Sequence, residues 1–423
     1  MQEEDVEEKA IASTQDTKLL LLRLEPGMQV VSAELRKRPL TMQIRAFAER
    51  SKRKKYRGSE SALYAATCPL IYVTRVFGLA PYKFDDNQIL VPSDINIIYS
   101  IIWLCVNTYL VYVSLLNIVL SPPVERHILQ YTEMAKAVFN YGVVVFELVL
   151  CLCTRKQITK IWNGIQEYDE IIRELGYARK ENKTCIWIWS MIAFSAVLWI
   201  AINQLGMYAF DQSWIDNVLY MILYVNSATG VVKFSGLVML LGQRFNQLID
   251  ISQRNMLMTP SWLIGTPIIN IKIIEHLHND MMVIAENLNT VFSWSIMFWI
   301  GNLCLHSVSD IYFVMAWISD EHIYWKLINC LLAWILLFIS QIILLCYSCH
   351  YTSSQANCIN YIILGWKRQE YMRNENMEIE TSFHLLNRQL HFCAAGCFNI
   401  NLPLLRSLAA SLTTYLVILL QFD

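Results

Sequence analysis

The sequence predicts an all-α membrane protein of seven spanning helices, N-terminus inside and C-terminus outside. Three observations carry that reading. Hydrophobic residues make up 55% of the 423 residues and charged residues 16%, whereas soluble domains carry about 25% charged residues. Seven apolar runs, Ile95–Leu120, Met134–Cys153, Cys185–Phe210, Ile215–Leu241, Asn289–Ile318, Tyr324–Cys349 and Ile400–Phe422, are long enough to cross a bilayer, which takes roughly 20 residues. The connecting loops alternate in positive charge, and positive residues mark the cytosolic side.

Taken in order, residues 1–60 form a polar cytosolic tail. It opens on the acidic MQEEDVEEKA, which lacks the basic, apolar and small-residue succession of a signal peptide. It closes on a basic cluster from Arg36 to Arg57 that belongs inside. Residues 61–94 are apolar at first but interrupted by Pro69, Arg75, Gly78 and Pro81, and so read as an interfacial or re-entrant segment. Residues 95–241 hold spans one to four. Their cytosolic loop, 154–184, carries Arg155, Lys156, Lys160, Arg173, Arg179, Lys180 and Lys183.

Residues 242–288 are cytosolic, with Arg244, Arg254 and Lys272. Within them Ile273, Leu277, Met281, Ile284 and Leu288 repeat at helical spacing and lead into the fifth span. Residues 289–349 hold spans five and six. Residues 350–399 are a second cytosolic helical region, with Lys367, Arg368, Arg373 and Arg388, and 400–423 is the seventh span. The intervening outer loops are nearly free of cations. The sequon Asn182-Lys183-Thr184 falls in an inner loop and is expected to stay unglycosylated.

A net charge of −1 and no basic stripe interleaved with aromatics argue against nucleic acid as a partner. Most of the 12 cysteines lie in apolar runs or cytosolic loops, where free thiols are expected. His276-x-His278 and Cys151-x-Cys153 have no further clustered ligands, and Cys346-Tyr347-Ser348-Cys349-His350 lies on the wrong side for haem attachment. No metal, cofactor or catalytic constellation is expected, so the chain is not read as an enzyme. A transporter, the alternative of another class, usually shows paired repeats and interrupted helices, and neither is evident.

The last span carries an unusual stripe. Ser407, Ser411, Thr414, Ile418 and Gln421 recur at steps of four, three, four and three, one helical face. A small and polar stripe suits a water-filled lumen or contact with copies of itself. Arg406, at the inner end, is placed to snorkel to the interface.

Seven spans with the N-terminus inside, and the absence of Asp-Arg-Tyr after the third span and of Asn-Pro-x-x-Tyr in the seventh, set aside a G-protein-coupled receptor, so no G protein is required. Thr414-Tyr415, five hydrophobic residues, then Gln421-Phe422 instead resembles the C-terminal signature of insect gustatory receptors, and Phe392–Phe398 is similar to that family's lead-in to the last helix. Leu416 stands where the sugar-receptor branch tends to carry Glu, so the chain looks more like the fructose-receptor and broadly tuned branch. The resemblance implies an insect chemoreceptor ion channel: a ligand-gated, non-selective cation channel in the plasma membrane of taste neurons. It also implies a homotetramer, or a heteromer with other gustatory receptors, with a central pore lined by the last helix and one small-molecule tastant pocket per subunit. Ser411, Thr414, Ile418, Gln421 and Phe422 would then line or gate the pore, with Asp423 at its outer mouth. The tastant is expected to be a fructose-like sugar or another small polar compound, the alternative being a bitter compound.

Polar groups inside spans are costly and mark cavities or partners. In the outer half of the fifth span, Asn302, His306, Asp310, Phe313 and Trp317 share a face, with Asp310 placed to bond hydroxyls or an amine. Matching outer-half groups are Trp199, Asn203 and Gln204 in span three, Tyr220 and Tyr224 in span four, Trp325 and Asn329 in span six, and Asn140 and Tyr141 in span two. Aromatic walls with a few polar groups suit a small ligand. Glu147 and Lys233, both toward the inner half, are expected to pair.

Overall fold

The computed structural model describes residues 62–85, 89–120, 127–179, 181–210, 214–257, 269, 271–318, 325–371 and 388–421. The basic tail, Phe422 and Asp423 lie outside them. The described elements are α1 (Ala62–Val76), β1 (Tyr82–Phe84), β2 (Leu90–Pro92), α2 (Asp94–Leu120), α3 (His127–Glu174), α4 (Asn182–Phe210), α5 (Trp214–Leu257), α6 (Ile271–Ile318), α7 (Trp325–Tyr371), β3 (Cys393–Ala394), β4 (Phe398–Asn399) and α8 (Leu402–Gln421). Six of them, α2 to α7, are long and apolar enough to cross a membrane. The final helix has 20 residues, about 30 Å of rise and about one hydrocarbon thickness.

Helix α5 is the hub, packing against α1, α2, α3, α4, α6 and α7. Its sequence explains how six neighbours fit. Gly230, Gly236 and Gly242 leave no side chain in the way, and a Cβ at Gly242 would lie 2.6 Å from Thr352 Oγ1 of α7. That hydroxyl instead donates to the Val238 carbonyl at 2.8 Å, the close approach that small residues permit between membrane helices. Asparagine pairs add interhelical bonds: Asn217 Nδ2 donates to Asn203 Oδ1 at 2.9 Å and Asn226 Nδ2 to Asn107 Oδ1 at 3.5 Å.

Helices α3, α5, α6 and α7 continue beyond their apolar runs at the end that loop charge assigns to the cytosol, called the inner end below. The periodic segment from Ile273 to Leu288 is part of the single 48-residue helix α6. Its Leu277, Met281 and Leu288 are buried, and Ile273 and Ile284 pack against the same core. The inner bundle encloses a charge cluster. Arg244 of α5 is 0% exposed and donates through Nε and Nη2 to both oxygens of Asp169, at 3.1 and 2.7 Å. Nη2 also reaches Glu181 Oε1 at 2.7 Å, and Arg179 Nε lies 3.1 Å from the same oxygen. The sequon's Thr184 is buried, its hydroxyl donating to Gln243 Oε1 at 2.7 Å. All twelve cysteines are free thiols.

Helix α1 has 15 residues and contains Pro69; it is about 22 Å long, short of the bilayer core. Its Leu70 packs against Ile188 and Met191 of α4. The turn after it is held from the bundle: Lys233 Nζ donates to the Leu79 carbonyl at 2.7 Å and contacts Cys151 Sγ at 3.4 Å. The anticipated Glu147–Lys233 pair does not form. A backbone carbonyl, one of the few strong acceptors in that apolar layer, takes the ammonium, and Glu147 Oε1 is left without a partner.

Two outcomes follow for the inner bundle. Arg244→Met removes the fork from the half-buried Asp169 and leaves the buried Glu181 to Arg179 alone, so stability falls by about 3 kcal/mol, and Arg244→Lys, which cannot make the fork, restores little of it. Thermal unfolding in detergent checks both. Burial lowers His278 from 6.5 to about 4 while its Nε2 donates to the Ala356 carbonyl at 3.0 Å. Its folded value lies below the unfolded one, so its contribution is complete above about pH 6.5 and is lost as pH falls towards about 4. His278→Gln, which keeps a donor but cannot titrate, flattens that acid-side loss of melting temperature.

Candidate functional site

Helix α6 presents its polar face to α3, α5 and α7 in the outer half of the bundle. Asp310, 2% exposed, accepts from Lys136 Nζ of α3 at 2.8 Å. The same ammonium lies 2.6 Å from Glu133 Oε1, one helical turn away. Two carboxylates thus share one ammonium. Tyr220 of α5 donates to Glu133 Oε2 at 3.4 Å, and its hydroxyl lies 2.9 Å from that of Tyr224.

Below this charged layer lie aromatic rings. The Tyr224 and His306 centroids are 5.2 Å apart, His306 and Phe338 4.9 Å, and Tyr224 and Trp334 5.0 Å. Trp199 of α4 meets Trp334 edge-on at 5.7 Å. Lower still, Asn302 Nδ2 donates to Asn140 Oδ1 at 2.9 Å, joining α6 to α3. Four buried polar atoms along this face have no partner in the protein: His306 Nε2, Asn302 Oδ1, Asn140 Nδ2 and Ser309 Oγ. Native interiors hold few such atoms, and a bound molecule or water is what usually satisfies them.

Of the residues expected at the site, Asn302, His306, Asp310, Asn140, Tyr220, Tyr224 and Trp199 belong to this connected group. Phe313 is buried one turn above Asp310, with the half-buried Trp317 6.1 Å from it. Tyr141 turns aside to α2, its hydroxyl 2.8 Å from Thr108 Oγ1, and Asn203 is engaged by Asn217. Gln204, Trp325 and Asn329 are exposed on the outside of the bundle, away from the group. Lys136, Trp334, Phe338 and Ser309 were missing from the expectation. For Lys136 the signal was present: a cation two residues inside an apolar run needs a buried acceptor.

Asn401 precedes helix α8, and its Oδ1 accepts the Leu404 N–H at 3.1 Å as an N-cap; Pro403 fits the first turn, where no donor is lost. The helix packs on the bundle through Leu404, Leu405 and Leu408, touching α6 and α7. Ser407, Ser411, Thr414, Tyr415, Ile418 and Gln421 are all exposed in the single chain. The stripe therefore does not pack against its own subunit. Thr414 Oγ1 donates to the Ala410 carbonyl at 2.9 Å, which satisfies the hydroxyl within the helix.

Residues 67–423 match the family described as 7tm chemosensory receptor. The chain belongs to that family. It is 24% identical over 324 residues to gustatory and pheromone receptor 32a of Drosophila melanogaster, covering 69% of this chain and 68% of the relative. It is 51% identical to putative gustatory receptor 2a of the same fly, but over only 41 residues, 10% of each chain. The fold is similar to that of the insect olfactory receptor OR5 from Machilis hrabei, with a TM-score of 0.63 over 85% of this chain and 99% of that one, at 14% identity. The same receptor in complex with eugenol matches with a TM-score of 0.64 over 84% and 97%, again at 14% identity. This chemosensory receptor is thus a multi-pass membrane protein with the fold of an insect olfactory receptor.

The charged layer makes a direct prediction. Lys136→Met leaves Asp310 and Glu133 without their cation and lowers stability by about 3–5 kcal/mol. Adding Asp310→Asn recovers part of that loss, because the remaining amide is neutral. Melting temperatures of the two singles and the double in detergent give the coupling between α3 and α6.

Proposed function

We propose that this chemosensory receptor is a ligand-gated, non-selective cation channel of the plasma membrane, opened by a small extracellular tastant. The observation that carries the reading is the small and polar face of α8, turned away from its own bundle. One such helix encloses nothing, whereas copies around an axis form a lumen. A homotetramer places Ser411 and Thr414 along that lumen. Ile418 forms an apolar ring that expels water in the closed state, with Gln421 and Phe422 at the outer end. The N-terminus is inside and the C-terminus outside, in keeping with loop charge.

The ligand is held by the group around Asp310, His306, Asn302, Asn140, Tyr220 and Tyr224. Its four unpartnered polar atoms offer donors and acceptors to a compound with several hydroxyls, and its rings offer stacking faces. Both features suit a fructose-like sugar. A bitter compound is the second reading, favoured by the run of rings from Trp199 through Trp334 to Phe338. That OR5 was solved in complex with eugenol supports a small-molecule ligand in this fold.

Whole-cell recording from cells expressing this chain alone tests the proposal. Fructose is expected to evoke a current reversing near zero with mixed sodium and potassium. Asp310→Asn and His306→Ala abolish it or shift its half-maximal concentration at least ten-fold with surface expression intact. Ile418→Ser, which wets the constriction, raises the ligand-free current. No current with any sugar, amino acid, nucleoside or bitter compound would overturn the reading.

A further inference from the structure

The segment entering α8 is held on two different helices. Upstream, Asn357 of α7 accepts the Leu390 N–H at 2.8 Å and donates to the Leu390 carbonyl at 3.2 Å, while Asn360 donates to the Arg388 carbonyl at 3.1 Å. Three residues later the grip passes to α6. Asn289 Oδ1 accepts the Cys393 N–H at 3.0 Å. Ser293 Oγ accepts the Ala395 N–H at 2.8 Å and donates to the Cys393 carbonyl at 3.1 Å. An exposed Arg388–Glu286 pair adds a further α6 contact, of the weak surface kind.

The gripped piece is stiff. β3 and β4 pair across the turn Ala394–Cys397, closed by the Cys397 N–H on the Ala394 carbonyl at 2.8 Å. Both central residues have positive φ, 48° at Ala395 and 73° at Gly396. Glycine takes that conformation freely, whereas alanine resists it through its Cβ, so the bond to Ser293 helps to hold Ala395 there. The Ile400 N–H bonds the Phe392 carbonyl at 2.7 Å, and the next residue, Asn401, caps α8. No slack separates hairpin from helix.

We infer that Asn289 and Ser293 are positioning residues that transmit ligand occupancy to α8 through this hairpin. The inference rests on the channel reading above. The candidate ligand group lies between the same two helices, where His306 of α6 faces Phe338 of α7. Helix α6 runs unbroken from that group to the grip; Asn302 and Ser293 are nine positions apart, about 13 Å along the axis. A molecule that shifts α6 against α7 at the outer end therefore shears the two anchors of the hairpin at the inner end. The stiff turn passes that displacement to the capped start of α8. Apart from one contact of Asn289 Nδ2 with Cys393 Sγ at 3.4 Å, the grip is on main-chain atoms of the hairpin. The Ala395 N–H also reaches the Ser293 carbonyl at 3.1 Å, so alanine at position 289 or 293 removes the side-chain part of the grip and leaves that backbone bond.

Single-channel recording from the full chain tests this, with D-fructose as the probe. Ser293→Ala and Asn289→Ala are expected to reduce the ratio of open probability with and without fructose by about five-fold or more, the lower range of coupling between sites. Unitary conductance should not change, because neither residue lines the pore. Ser293→Thr, which keeps the hydroxyl, restores the ratio; a merely structural role would instead lower surface protein and leave gating of the surviving channels unaltered. A fructose-gated wild type whose ratio is unmoved by either alanine overturns the coupling and leaves the channel reading intact. A wild type with no cation current with fructose or with any other sugar, amino acid, nucleoside or bitter compound overturns both.

Discussion

An ammonium or a carboxylate is costly to leave without a partner in an apolar layer, and the outer half of this protein is arranged around that constraint. Lys136 of α3 reaches Asp310 of α6 and Glu133 of its own helix. The interior does not pair these charges one to one, so the remaining capacity of Glu133 is taken up by Tyr220 of α5. Three helices are thereby held in a set rotation about their axes. Once α6 is turned so that Asp310 meets Lys136, helical geometry carries His306 and Asn302 to the same side. The aromatic rings of α5 and α7 then close around them. Polar bonding sets the rotation, and apolar packing fills the space that it leaves.

The inner half solves the same problem with arginine. Arg244 is fully buried, and its planar fork matches Asp169 while its remaining reach serves Glu181. The cluster ties α5 to α3 and to the start of α4, and makes the inner extensions a packed bundle rather than loose connections. Helix α6 spans both halves as one continuous rod. The chemistry at its outer end and the grip at its inner end therefore belong to one mechanical element.

Much of this was legible in the residues. The periodic Ile273, Leu277, Met281, Ile284 and Leu288 predict α6 extending inward, and a period of 3.6 needs no partner to be seen. The face from Asn302 to Asp310 was legible for the same reason. Which groups answered it was not. Lys136 sits 174 positions from Asp310, and Trp334 and Phe338 look in the chain like any aromatics of a membrane helix. Gln204, Trp325 and Asn329 share the outer-half depth of the site but face outward, because depth along a helix says nothing about its rotation. Lys233 went to the Leu79 carbonyl rather than to Glu147 because a backbone acceptor brought close by the turn after α1 competes with a carboxylate on another helix.

The sequence by itself determined the apolar runs, the charge asymmetry of the loops, the helical faces and the C-terminal signature, since each is a local property of composition or spacing. Tertiary structure alone decided which faces meet. The stripe on α8 shows the division most clearly. Its spacing placed Ser407, Ser411, Thr414, Ile418 and Gln421 on one side of a helix, but only the packed chain showed that side pointing away from the bundle. The physical reason lies in Leu404, Leu405 and Leu408, which fill the groove against α6 and α7 and so turn the small and polar face outward.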